Sequence, residues 1–145
     1  MKPFREFIGE SVQPLEPGDK AFRVVDGFVA YHVTFAYHRD SIMKSGLRLD
    51  QPSNENTGEV HGAVFFADNE QAMVLADHTE DAGEEPLILQ IYIPRGKVVF
   101  KDEAMPADTS FYIREPILAR RIREVERTEA VNWDFRKNLK PLKQG

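Results

Sequence analysis

The stretch Phe28-Val29-Ala30-Tyr31-His32-Val33-Thr34 starts as an apolar run and ends on a histidine and a threonine. Successive side chains of a β-strand face opposite sides of the sheet, so His32 and Thr34 share one face and Tyr31 and Val33 the other. One face of a core strand therefore turns polar where an apolar pair would have continued the core. Just upstream, Ala21 to Val25 alternates weakly and contains β-branched residues, which predicts a strand. Asp26-Gly27 between the two is a strong turn signal, so the pair is expected to form a hairpin that delivers His32 to its end.

Downstream the pattern changes period. Arg39 to Ser45 predicts a short helix in which Asp40 or Ser41 caps the start, Ile42 and Met43 face inward, and Gly46 takes the positive-φ position after the last turn. Leu47 then packs back on that helix. Asp50 to His61 has no apolar periodicity and reads as a long polar loop, either functional or a disordered connection. Ala63 to Ala67 predicts a short buried strand. Asp68 with Gln71 makes a capping-box-like start for a helix as far as about His78, with Ala72, Met73 and Ala76 on its buried face. Glu80 to Glu85 is an acidic turn. Leu87 to Ile93 is apolar on both faces apart from Gln90, the pattern of a strand inside a sheet. Extended pieces follow at Lys97 to Phe100 and Ser110 to Arg114, with a last strand around Ile122 to Glu126.

Tyr31-His32-Val33-Thr34, a short helix ending in Gly46-Leu47-Arg48, and Gly62-Ala63-Val64-Phe65-Phe66-Ala67-Asp68 come in an order that resembles the ADP-ribosyltransferase-like families of bacteria and phages. Those families open the NAD-binding half of their fold with Y-H-V-T, a helix ending in G-L-R, and a G-V-F/Y strand ending in T/A-D. The resemblance spans residues 28 to 125 or so, and at its far end Pro116-Ile117-Leu118-Ala119 matches the family's P-I segment in part. It implies an α+β domain with split mixed or antiparallel sheets and short flanking helices. It also implies NAD as co-substrate and transfer of ADP-ribose to a macromolecular acceptor, a protein before a nucleic acid.

The same resemblance distributes roles. His32 and Thr34 hold the ribose of NAD, an aromatic from Phe65-Phe66 or Tyr37 lies beside the nicotinamide, and Arg39 or Arg48 balances the pyrophosphate. Breaking the nicotinamide–ribose bond develops positive charge on the sugar, so a carboxylate belongs nearby. Many relatives carry it as a glutamate at the start of the strand before P-I, where this chain has Ser110; Glu115 lies five residues on. Either Glu115 takes the role through a shifted register or the glutamate is missing. The catalytic candidates are thus His32, Glu115 and Ser110, and the NAD-binding candidates are His32, Thr34, Tyr37, Arg48 and Phe66. Loss of the glutamate would suit a catalytically degenerate binding or inhibitory module of phage or mobile-element origin. Arg114, Arg120 and Arg121 keep an RNA 2′-phosphotransferase-like activity in view.

Composition sets outer bounds. At 145 residues and 41% hydrophobic, the chain suits a single core. The expected division is an arm over 1–20, the domain over 21–130 and a basic tail over 131–145. With 24 acidic against 19 basic residues the net charge is −5, which argues against non-specific nucleic-acid binding by the surface as a whole. There is no cysteine, and His32, His38, His61 and His78 form no spaced ligand set, so no structural metal is expected. Met1 to Ile8 is too short and charged for a signal peptide, and no run of about 18 apolar residues occurs. A cytoplasmic protein without membrane contact, monomeric or weakly dimeric, is the expectation.

Overall fold

A computed structural model of the chain describes residues 20–49, 62–102, 110–129 and 134–142. The arm, the polar loop 50–61 and the turn-rich 103–109 lie outside the described residues. The strands are β1 Ala21–Val24, β2 Phe28–Phe35, β3 Val64–Ala67, β4 Pro86–Ile93, β5 Val98–Lys101, β6 Ser110–Ile113, β7 Ile122–Glu124 and β8 Leu139–Pro141. The helices are α1 Arg39–Ser45 and α2 Asn69–Asp81, joined by several single turns of 3-10 helix. The class is α+β, with one antiparallel sheet in the order β7-β4-β2-β3-β6-β5-β1-β8. Among the described residues no helix is long and apolar enough to cross a membrane.

The sheet is curled. β4 and β5 stand four steps apart in it, about 19 Å if it were flat, yet only Pro94 to Lys97 connect them, and that link contains a turn. A five-bond Cα path reaches about 17 Å at full stretch. The sheet must therefore fold over, and it does so where it is weakest. β2 pairs with β4 along its whole length from Phe28↔Ile93 to Phe35↔Pro86, but with β3 only at Tyr31↔Ala67. β2 and β3 share no further register pair, so the eight strands remain one sheet with a narrow join rather than the separate sheets that the sequence resemblance implies.

Two apolar clusters result. The main one takes Phe28 and Ala30 from β2, alternate residues Leu87, Leu89, Ile91 and Ile93 from β4, and Phe66, Phe111 and Val99 from the other part of the sheet. The second lies beneath α2 and joins Tyr31, Ile88, Ala72, Ala76 and Val125. β4 separates the two, which is why its apolar residues run on both faces. α2 starts where Asp68 Oδ1 accepts the Gln71 amide at 2.9 Å, and it ends three residues later than the periodicity predicts, at Asp81.

Three local expectations change. First, β1 and β2 form no hairpin: β1 pairs with β5 and β8 instead. The Asp26 and Gly27 carbonyls accept from Asn138 Nδ2, each at 3.3 Å, so the turn carries the chain from one part of the sheet to the other. Second, α1 begins one residue after His38 with no side-chain cap, and Met43 is exposed while Ile42 is buried. Third, residues 134–142 of the segment expected as a tail are part of the body. Phe135 is 1% exposed and stacks on Phe28 at 4.8 Å, and Leu139–Pro141 closes the sheet edge, so the strand at Ile122 is not the last.

Candidate functional site

β2 places Phe28, Ala30, His32 and Thr34 on the main-core face, and register sets His32 against Leu89 and Thr34 against Leu87. Both leucines are buried. The imidazole reaches the neighbouring strand: His32 Nδ1 lies 2.6 Å from the carbonyl oxygen of Phe65 on β3. A carbonyl can only accept, so Nδ1 carries the proton and Nε2 of the neutral ring is an acceptor. Burial pushes the His32 pKa below its ordinary value, and the Phe65 bond opposes this only in part. The site thus holds an uncharged histidine that can receive a hydroxyl hydrogen. Thr34, half-buried, shares the face.

The remaining elements of the N-terminal pattern converge. α1 ends on Gly46 at φ 78°, and Leu47 exchanges reciprocal hydrogen bonds with Ile117, N to O at 2.9 Å in both directions. A Cβ on Gly46 would stand 2.2 Å from the Ile117 carbonyl oxygen, so glycine is required there. The helix ending in Gly46-Leu47-Arg48 and the Pro116-Ile117 segment, seventy residues apart in sequence, are therefore fastened together. Arg48 leaves this junction exposed.

The aromatic candidates separate by face. Phe66 is 2% exposed and packed among Phe28, Phe111 and Phe135, so it is core and offers no surface to a ligand. Phe65 turns the other way, half-buried, with its ring 5.3 Å from Tyr112. Tyr37 is 62% exposed and stacks on Phe35 at 5.4 Å. Arg39 is engaged: its Nε and Nη2 hold both oxygens of Glu124 at 2.9 and 3.1 Å. It does not wait for a pyrophosphate.

The carboxylate does not join His32. Opposed residues in an antiparallel pair share a face, and Ser110 opposes Ala67, which opposes Tyr31. Ser110 therefore lies on Tyr31's side of the sheet, two strands from β2, while His32 lies on the other. Glu115, beyond the end of β6, is bound by Lys97 Nζ at 2.6 Å. It lines a cavity of about 240 Å³ with Tyr92, Ile117, Leu118 and Arg121, whose described lining does not include His32. The carboxylate that register does place on His32's face is Glu124, opposite Leu89 on β7. No sequence signal marks Glu124, because its face depends on two strand registers. Comparison with family models, curated proteins and solved structures found no match.

Proposed function

We propose that the chain binds NAD at His32 and transfers ADP-ribose to a macromolecular acceptor, a protein in the first instance, in the manner of an ADP-ribosyltransferase-like domain with a split sheet. The observation that carries this is the neutral His32. Its Nδ1 is committed to Phe65 and its Nε2 is left to accept, which fits a ribose hydroxyl as donor. NAD as substrate supplies the ADP-ribosyl group and the nicotinamide leaving group. On the protein's side, Thr34 adds a hydroxyl on the same face, and Tyr37 provides an exposed ring for a flat heterocycle. Phe66 does not serve.

The fit is incomplete at the carboxylate. Ser110 faces away, Glu115 is held by Lys97, and Glu124 has both oxygens on Arg39. That arrangement favours a second reading, a catalytically degenerate member of the fold that binds and does not transfer. Titration calorimetry of NAD into the wild type and His32→Ala, followed by incubation with labelled NAD and lysate protein, separates the two. We expect binding by the wild type and at least tenfold weaker binding by His32→Ala. Label on protein supports the transferase, and binding without label supports the binding module. An unchanged dissociation constant in a folded His32→Ala sinks the site.

A further inference from the structure

The cavity of about 240 Å³ beside the Pro116-Ile117 segment is assembled by short-range geometry. Leu118 precedes a single turn of 3-10 helix, and the Arg121 amide donates to the Leu118 carbonyl oxygen at 2.9 Å. Side chains three apart in such a turn eclipse, so Leu118 and Arg121 share a side. The antiparallel ladder of Gln90↔Arg123 and Ile91↔Ile122, carried one step on, sets Tyr92 beside Arg121. Buried Ile113 and Ile117 add apolar wall. Two features of this lining stand out. Leu118 is 47% and Tyr92 44% exposed, so the fold leaves apolar surface uncovered at one place. The second feature is charge. Four cations line the molecule's two described cavities, namely Arg39, Arg127, Lys97 and Arg121. The first three are paired, Arg39 with Glu124, Arg127 with Asp77 and Glu80, and Lys97 with Glu115. The half-buried Arg121 side chain has no hydrogen bond or ion pair among the described residues, although the chain carries 24 acids against 19 bases.

We propose that this cavity binds a small monocarboxylic acid with an apolar ring for a body, its carboxylate on Arg121 and its ring against Leu118 and Tyr92. The charge count selects a monoanion. Lys97 Nζ and Glu115 Oε1, 2.6 Å apart, cancel each other, and Arg121 leaves one positive charge over. A phosphate would bring a second negative charge with no second free cation to meet it. A guanidinium edge takes a planar carboxylate through two parallel hydrogen bonds, which fixes orientation as well as charge. Apolar walls with one oriented charge are the usual make-up of a small-molecule site. Volume limits the body: sites for drug-sized ligands run from about 300 to 1,000 Å³, so this smaller cavity suits an acid of one or two rings. His32 is not in the described lining, and the assignment does not depend on the NAD reading.

The test is titration of 2-naphthoate into the isotope-labelled full chain, followed by amide chemical shifts. We expect saturable shifts centred on residues 113–121 and Tyr92. The neutral 2-naphthamide, which keeps the rings and loses the charge, should bind at least about tenfold more weakly to the same wild-type protein, and this comparison needs no variant to fold. Inorganic phosphate at equal concentration should not displace the naphthoate. Arg121→Gln should weaken naphthoate binding at least about tenfold, and Arg121→Lys should fall between, since it keeps the charge without the fork. Leu118→Asn, at an exposed position, should weaken it about threefold or more through lost apolar contact. No saturable shift at millimolar naphthoate, equal binding of acid and amide, or unchanged affinity in a folded Arg121→Gln overturns the proposal. Displacement of naphthoate by NAD does so too, because the cavity would then be part of the nucleotide's own site.

Discussion

Replacing Phe135 by alanine tests whether residues 134–142 belong to the core. The ring is 1% exposed and lies 4.8 Å from Phe28, 5.5 Å from Phe66 and 5.4 Å from Phe111, so it touches β2, β3 and β6 at once. Those three strands lie on both sides of the narrow join between β2 and β3, and the ring packs against all of them. Removing a buried phenylalanine costs about 3–5 kcal/mol, the upper part of that range where the cavity cannot collapse. Three strands fix the walls here, so we expect about 4 kcal/mol. A domain of this size has a total of about 5–15 kcal/mol, and the melting temperature should fall by roughly 8–16 °C. Urea unfolding followed by circular dichroism measures the loss. Lys140→Ala is the control: its side chain is exposed on β8 of the same segment, so it should cost under about 1 kcal/mol. A Phe135→Ala loss no larger than the control's would mean that the segment is a tail after all.

Gly46→Ala should cost about 3 kcal/mol or more, because a φ of 78° with ψ near 180° is strained for alanine and its Cβ meets the Ile117 backbone. Gly83→Ala, with φ 88° and open space around it, should lose only about 1 kcal/mol; equal losses in urea titration would show that the Leu47–Ile117 junction is not rigid. His32 gives a pH dependence of defined sign. Its folded pKa is lowered from 6.5, so below pH 6.5 the unfolded chain takes up a proton that the folded chain refuses, and stability falls until the lowered pKa is reached. The slope from this group is at most about 1.4 kcal/mol per pH unit. Unfolding of wild type and His32→Gln between pH 7.5 and 5 should converge as pH falls, and parallel curves would show that His32 is not buried as a neutral ring.

What could be read from the sequence was local. α1 and its terminal glycine, the Asp68 cap of α2 and the two-faced β4 each follow from residues within one turn or one strand of each other. What could not be read depends on partners far away in the chain. Asp26-Gly27 has the composition of a hairpin turn, but its carbonyls are taken by Asn138, more than a hundred residues on. Phe135 sits among basic residues that give the segment the composition of a tail, and a single buried ring leaves no periodicity to detect. Phe66 as the NAD-binding ring fails for the same reason: alternation says that one of Phe65 and Phe66 must be core, and only the packing of Phe28 and Phe111 says that it is Phe66.

The site follows the same division. The polar end of β2 is legible in Tyr31-His32-Val33-Thr34, but the tautomer of His32 is set by a carbonyl on another strand, and that contact exists because β2 and β3 part after one register pair. A continuous ladder between them would have used backbone amides there and left the imidazole no route to Phe65. The same register decides the carboxylate. Counting from Tyr31 through Ala67 to Ser110 puts the serine on the wrong face, whereas counting from His32 through Leu89 reaches Glu124 on the right one. A glutamate at position 110 would therefore also face away from His32, so introducing one by Ser110→Glu should leave label transfer from NAD no higher than in the wild type. Freeing Glu124 by Arg39→Gln is the change that puts an unpaired carboxylate on the histidine's side of the sheet.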